Sequence, residues 1–100
     1  PSYSADLLLW KKNPSREAAR EHLGEAKKIL AGISDGDFSS EAVKNGIWPY
    51  AEAKGKGDVL WPLRVALTGK EKSPDPFLSA ALIGREECLK RLDHAIRLLI

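Results

Sequence analysis

One stretch of the sequence holds residues whose types and spacing suit the binding of an anion. Arg64 lies in an otherwise apolar segment, and the loop that follows, residues 69–76, contains Lys70, Lys72 and Ser73. A planar guanidinium can make two parallel hydrogen bonds to a phosphate or a base edge, while a lysine acts as a point charge for phosphate. The spacing therefore predicts a small anion-binding surface near the centre of the chain.

Two prolines would stiffen the 69–76 loop, and the first amides of a helix opening at Phe77 would point into the same space. Single-stranded RNA is recognised through unstacked bases that rest on side chains and form hydrogen bonds along their edges. The candidate RNA-binding residues are Arg64, Lys70, Lys72, Ser73, Pro74 and Pro76. Two alternatives remain open here, because Arg64 could pair with an acid on a neighbouring helix and a lysine-rich loop could simply be solvated.

The sequence offers little for catalysis. Gly55 and Gly57 bracket one lysine and match no glycine-rich phosphate loop. His22 and His94 have no serine or cysteine nucleophile close in sequence. Cys88 is the only cysteine, which excludes an internal disulfide and a thiolate metal site. We expect Cys88 to be a small buried side chain, His22 to lie at the surface or boundary of its helix, and the segment to have no active site.

The composition is that of a globular domain with one core. Apolar residues make up 43% and charged residues 30% of the 100 residues, and the net charge is +2. That charge is too small to indicate a dedicated nucleic-acid module, although a mild basic cluster occupies the centre: Lys54, Lys56, Arg64, Lys70 and Lys72. No run approaches the ~18 apolar residues of a membrane helix, and no signal peptide is recognisable. The start at Pro1 and the absence of methionine fit a fragment of a longer chain, and a processed N-terminus would look the same.

The apolar periodicity predicts an all-α bundle of five or six helices, and no segment alternates with the period of a strand. A short helix over residues 4–12, capped by Ser4, contains three leucines at 7–9 that we expect to pack against the body. The next helix is predicted to begin with the Asn-Pro pair at 13–14 and to stop at Gly32.

Cap and proline signals predict the remaining helices. The third begins at Ser39 and, because of Pro49, is expected to kink or break near Ile47 or Trp48. The fourth is capped by Asp58 and stops at Gly69. Asp75 followed by proline starts the fifth helix, over residues 76–83, which is almost wholly apolar and therefore expected to be central. The last covers residues 85–99, with Arg85 on its water-facing side.

Two segments carry a family likeness, DVLWPLRVALTGKEKSPDPF and LIGREECLKRLDHAI. They contain a proline-leucine-arginine helix, a threonine-glycine turn, a serine-proline loop and a leucine-glycine-lysine-glutamate type of junction. These motifs stand here as Pro62-Leu63-Arg64, Thr68-Gly69, Ser73-Pro74 and Ile83-Gly84-Arg85-Glu86. With them the sequence resembles the C-terminal anticodon-binding domain of bacterial-type glutamyl-tRNA synthetases. The likeness is dense over residues 54–100 and only weakly diagnostic over residues 1–37.

The resemblance implies that residues 1–100 form one α-helical anticodon-binding domain that binds the anticodon loop of tRNA(Glu) and is not itself catalytic. It implies that Arg64, Ser73 and Pro74 touch anticodon bases, and that Asp75, where relatives often place a glycine, caps a helix instead. The family's His-Ile-Gly-His and Lys-Met-Ser-Lys-Ser type motifs are absent from the sequence. ATP and Mg²⁺ would then be used by the catalytic domains of a parent glutamate–tRNA ligase, a cytoplasmic enzyme without membrane contact, and this segment would hold no cofactor or metal.

A second function of a different class stays open, that of a helical protein-interaction domain. Trp10, Trp48, Trp61 and the leucines at 7–9 could form an exposed docking patch, although tryptophans are more often core residues. Salt dependence separates the two functions. RNA binding weakens with log salt by a slope of about 0.7 per single-strand phosphate contact, whereas apolar docking barely responds.

Overall fold

The computed structural model describes residues 3–70 and 75–100. It contains five α-helices, which are α1 (Arg16–Ala31), α2 (Ser40–Lys54), α3 (Lys56–Thr68), α4 (Pro76–Ile83) and α5 (Arg85–Leu98). Short 3₁₀ turns at Ala5–Leu8 and Asp35–Asp37 precede α1 and α2. These residues form no β-strand, so the prediction of an all-α bundle of five or six helices is confirmed. None of the described helices is long and apolar enough to cross a membrane.

Helix α3 lies at the centre of the bundle, because it contacts all four other α-helices and the N-terminal 3₁₀ turn. Its buried residues cover most of its circumference: Val59, Pro62, Leu63, Val65, Ala66 and Leu67. The two amphipathic helices α1 and α5 pack on each other and on α3. Leu8 is fully buried, which confirms that the leucine run at 7–9 packs against the body. Arg64 is therefore a charged residue on a helix that is otherwise mostly buried and apolar.

Three predicted helix ends are confirmed, and each depends on groups within one turn of the chain. The Ser39 hydroxyl accepts a hydrogen bond from the Ala42 amide at 3.1 Å at the start of α2. Gly69 ends α3 in the left-handed conformation with φ 74°, which glycine adopts without a Cβ clash. The Asp75 carboxylate accepts from the Phe77 amide at 2.8 Å and caps α4.

The predicted capping side chains of three helices are wrong. Only Ala5–Leu8 of the first predicted helix is helical, and the Ser4 side chain makes no capping bond. Helix α1 is capped by Ser15, two residues after Asn13, and Asn13 Nδ2 instead donates to Asp58 Oδ1 at 2.6 Å. Asp58 correspondingly lies in the first turn of α3 rather than at its cap. Asn13 and Asp58, which local patterns assigned to caps, therefore bond to each other across segments that are distant in sequence.

Helices α2 and α4 also depart from expectation. Helix α2 continues through Pro49 without a break, since one missing amide is tolerated in a helix held by its neighbours α3 and α4. Helix α4 is only partly central. Phe77 and Ala80 are buried, but Leu78 and Leu82 are 46% and 80% exposed. One face of this apolar helix is therefore open to solvent.

Arg85, expected to face water, closes the end of another helix. Its Nε donates to the Ile33 carbonyl and its Nη2 to the Ala31 carbonyl, both at 2.8 Å. The last carbonyls of a helix have no partner within the helix, and a cation there is favoured by the helix dipole. The first residue of α5 therefore ties this helix to the end of α1.

The first turn of α3 passes against the Trp10 ring, and this close approach yields a stability prediction. A Cβ built on Gly57 would overlap ring atoms of Trp10, whereas one on Gly24 of α1 meets nothing within 4 Å. Alanine normally favours a helix over glycine by about 1 kcal/mol. We expect Gly24→Ala to stabilise the domain by up to about 1 kcal/mol and Gly57→Ala to destabilise it by about 1–3 kcal/mol through overpacking. Urea unfolding measures both, and a stabilised Gly57→Ala variant would contradict the Trp10 contact.

Candidate nucleic-acid interface

Arg64 is half-buried on α3, one turn before the helix ends. Its Nε–H is fully buried and has no hydrogen-bond partner among residues 3–70 and 75–100. Within the same residues, no carboxylate lies within 4.0 Å of its guanidinium. The alternative interpretation, an ion pair with a neighbouring helix, is therefore not found in the described part of the chain.

The unmet Nε–H has a chemical consequence. Buried polar groups are nearly always hydrogen-bonded, and a buried donor without an acceptor destabilises the state in which it occurs. A ligand oxygen would supply the acceptor only if the Arg64 side chain turned outward on binding, because the Nε–H is not accessible in the free domain. The guanidinium is thus suited to a phosphate or to a base edge, both of which offer acceptors to its planar donors.

The turn after α3 begins the loop beside Arg64. Thr68 Oγ1 donates to the Arg64 carbonyl at 2.8 Å and accepts from the Lys70 amide at 3.2 Å. These bonds and the left-handed Gly69 determine the direction in which the chain leaves the helix. Lys70 is exposed at this point. Its ammonium is therefore accessible to a phosphate near the end of α3.

The far end of the loop is held by α4, which packs against α3. Pro76 is buried at the first position of α4, where a proline costs no hydrogen bond. Burial favours a structural role for this ring over an RNA contact, and its role as a contact stays a prediction. The other predicted loop residues, Lys72, Ser73 and Pro74, lie outside the described residues. The structure thus places Lys70 and Pro76 at the two ends of one loop and Arg64 one helical turn before its start.

The sequence also matches a known family of domains. A family model described as "Anticodon binding domain" matches residues 1–96. The chain belongs to this family of anticodon-binding domains. The resemblance predicted from the motifs is thereby confirmed.

Curated relatives of this anticodon-binding domain carry the name glutamate–tRNA ligase. The protein from Clostridium botulinum is 33% identical over 99% of the chain and 21% of its own length. The protein from Stenotrophomonas maltophilia is 40% identical over 81% of the chain and 17% of its own length. The protein from Xanthomonas campestris is 42% identical over 74% of the chain and 16% of its own length. The chain thus spans about a fifth of the length of these relatives. No solved structure matches it.

The anticodon-binding domain also contains a cluster that sequence reasoning missed. The Nζ atoms of Lys44 and Lys56 lie 5.7 Å and 5.0 Å from the centroid of the Trp48 ring. The same ring contacts Phe77 edge to face, with centroids 6.3 Å apart. Lys44 and Trp48 are four residues apart on α2, a spacing that places them together on a helix and could have been read from the sequence. The approach of Lys56, from another helix, could not.

The tryptophans do not form the exposed docking patch of the alternative interpretation. Trp10, Trp48 and Trp61 are all half-buried; Trp48 and Trp61 pack against the core, and the Trp10 ring lies against Gly57 of α3. Trp61 Nε1 donates to the Leu7 carbonyl at 3.0 Å, which fixes the N-terminal leucine run on α3. The predicted Trp/Leu surface is therefore part of the fold, as expected for large amphipathic rings with a satisfied donor.

His22 and Cys88, which were considered for catalysis, are both buried. His22, predicted at the surface or boundary of its helix, is 8% exposed, and its Nδ1 lies 2.8 Å from the Tyr50 hydroxyl, a partner 28 residues away that no local pattern reveals. Burial raises the pKa of Tyr50, and nearby Glu21 and Glu25 raise this pKa further.

Cys88 is confirmed as a buried side chain, and its thiol lies 3.3 Å from the Ala80 carbonyl, to which it donates. Burial raises the pKa of this thiol to about 11, so it stays protonated at neutral pH and is a poor nucleophile. In residues 3–70 and 75–100, no three His, Cys, Asp or Glu side chains are grouped to hold a metal ion.

Proposed function

We propose that this domain recognises the anticodon loop of tRNA(Glu) as a non-catalytic part of a glutamate–tRNA ligase. The observation that carries the proposal is Arg64, whose buried Nε–H has no acceptor among the described residues of an anticodon-binding domain. The relatives named glutamate–tRNA ligase support tRNA(Glu) as the RNA. An anticodon loop presents unpaired bases and phosphates, and both provide acceptors for a guanidinium.

The proposed roles differ from residue to residue. Arg64 donates to a base edge or phosphate of the anticodon, where its fork gives direction as well as charge. Lys70 and Lys72 neutralise phosphates, and phosphate contacts orient the RNA without reading its sequence. Ser73 offers a hydroxyl to a base and Pro74 stiffens the loop. Asp75 is left out of the contact surface, because its carboxylate caps α4.

The chemistry of tRNA charging is assigned to the rest of the enzyme. ATP and Mg²⁺ supply the activation of glutamate in such a ligase. We assign the ATP and Mg²⁺ sites to the catalytic domains of that ligase and none to this chain. We propose that the catalytic domains are its covalent neighbours and that the enzyme acts in the cytoplasm.

A titration followed by backbone amide chemical shifts tests the proposal. The ¹⁵N-labelled chain is titrated with a tRNA(Glu) transcript, with the same transcript carrying a changed anticodon, and with an unrelated tRNA. We expect the largest perturbations at Arg64, Lys70 and the amides of residues 71–73 and 75, with weaker binding for the changed anticodon and for the unrelated tRNA than for tRNA(Glu). Equal affinity for all three RNAs, or perturbations confined to the face of α1 and α5, would contradict anticodon recognition by this surface.

A further inference from the structure

Two lysines from different helices converge on Trp48. Lys44 lies one turn before Trp48 on α2, and Lys56 is the first residue of α3. Both side chains are exposed, and both ammonium groups lie beside the same indole ring, at 5.7 Å and 5.0 Å from its centroid. Since both distances share one endpoint, the two ammonium groups are at most about 11 Å apart. Two positive charges are thus held near each other by one aromatic ring.

These charges are not neutralised within the described part of the domain. No carboxylate of residues 3–70 and 75–100 lies within 4.0 Å of either lysine. Asp58, in the same turn as Lys56, accepts a hydrogen bond from Asn13 instead. A cation at the first residue of a helix is also placed unfavourably with respect to the helix dipole. Lys44 and Lys56 therefore concentrate positive charge that no ion pair among the described residues neutralises.

The position of the cluster connects it with the proposed anticodon surface. Trp48 contacts Phe77 edge to face, with an interplanar angle of 74°. Phe77 is the second residue of α4 and donates its amide to the Asp75 cap. The lysine pair therefore adjoins the end of the loop that begins beside Arg64. An RNA strand bound at the start of α4 would bring its neighbouring phosphates near the lysine pair.

We propose that Lys44 and Lys56 bind phosphates of the tRNA backbone next to the anticodon and that Trp48 is the positioning residue that holds the two ammonium groups. This inference rests on the proposed function and extends its footprint beyond the 69–76 loop. A ring quadrupole attracts cations over its face, so the lysine side chains are partly ordered before RNA arrives. Contacts of this type raise affinity for any RNA of the right shape without reading its sequence.

The test combines a double lysine variant with a salt series. The chain carrying Lys44→Ala and Lys56→Ala is titrated with a tRNA(Glu) transcript and with the anticodon-changed transcript at several salt concentrations. We expect affinity to fall by the same factor for both RNAs, and the slope of log K against log salt to decrease by about 1.4, or about 0.7 per single-strand phosphate. The matched control carries Lys28→Ala and Lys90→Ala, which removes the same charge from α1 and α5, and its slope is expected to match the wild type.

Variants of Trp48 test its positioning role separately from its packing role. Trp48→Phe keeps an aromatic face, whereas Trp48→Leu keeps an apolar side chain without one. We expect the Phe variant to retain most of the part of the salt slope that the lysine pair contributes and the Leu variant to lose most of that part, with thermal unfolding recorded for each. A slope that follows Tm in both variants, instead of aromaticity, would overturn the positioning role.

The outcomes distinguish this inference from the proposed function. If Arg64→Ala weakens binding while the double lysine variant keeps the wild-type slope, the phosphate site is overturned and anticodon recognition stands. A loss of affinity confined to the unaltered anticodon would also overturn it, because it would indicate base reading instead of phosphate binding. If the wild-type chain binds no tRNA(Glu), both proposals fail.

Discussion

Leu63→Ala is expected to lower the free energy of unfolding by about 3 kcal/mol, within the 2–5 kcal/mol range of leucine truncations in cores. Leu63 is 1% exposed, and its helix α3 contacts every other α-helix, so the surrounding side chains have little freedom to fill the cavity. Domains of this size have a total stability of about 5–15 kcal/mol. At about 4–8 °C per kcal/mol, Tm should fall by about 10–25 °C. Urea and thermal unfolding followed by circular dichroism measure the change.

Leu82→Ala is the matched control for this prediction. It removes the same atoms from a leucine that is 80% exposed on α4. Surface substitutions of this kind change stability by no more than about 0.5 kcal/mol. If both leucine variants lost the same stability, the central position of α3 or the open face of α4 would be wrong.

Arg64→Ala is expected to lower affinity for tRNA(Glu) about 10- to 100-fold while leaving Tm close to that of the wild type. A bidentate arginine contact contributes about 1–3 kcal/mol, and 1.4 kcal/mol corresponds to a factor of ten. In the free domain, the substitution removes a buried Nε–H that has no acceptor among the described residues, so little stabilisation is lost. Filter binding or fluorescence anisotropy gives the affinity, and thermal unfolding gives Tm.

Arg85→Ala removes the same charge and should show the opposite pattern. Its guanidinium donates to two carbonyls at the end of α1, and hydrogen bonds of charged groups contribute about 1.5–3 kcal/mol. We expect reduced stability with unchanged affinity at temperatures where the variant is folded. Arg64→Lys should fall between wild type and Arg64→Ala in affinity, since it keeps charge without the planar fork. An Arg64→Ala variant with lower Tm and unchanged affinity would identify Arg64 as a structural residue.

Features determined within one helical turn were predictable from the sequence. The Ser39 and Asp75 caps and the left-handed Gly69 follow from a side chain or a missing Cβ acting on its immediate neighbours. The buried stripes of α1 and α5 follow from periodicity, because each helix must cover one apolar face. Such features gave the all-α class and most of the boundaries.

Features that depend on a partner from another segment were predicted wrongly. Asn13 has the chemistry of a cap but donates to Asp58, 45 residues away. His22 has no ligand at helical spacing and is buried against Tyr50, while Arg85 lies on a charged face and donates to α1. Short polar side chains suit several structures equally well, and only the tertiary fold chooses among them.

The same distinction applies to the candidate site. The sequence identified Arg64 by its contrast with apolar neighbours, but it did not show that the Nε–H is buried without an acceptor in the described chain. From the sequence, Trp48 was predicted only as part of a docking patch. Its approach to Lys56 depends on the packing of α2 against α3, which the sequence does not show. The sequence showed a basic cluster at the centre of the chain. Only the fold shows that Lys44 and Lys56 lie beside the same ring, that of Trp48.

The pairing of α1 with α5 has a consequence for the order in which the domain is made. The apolar stripe of α1 is covered in large part by the last helix, and the Arg85 bond to Ile33 joins residues 52 positions apart. A ribosome therefore releases α1 well before the segment that shields it, and the loop between them must close before that contact stabilises anything. Until α5 emerges, the part of the α1 apolar stripe that α5 covers is exposed in the nascent chain and can bind chaperones. Its native core is completed only in the final stage of translating this segment.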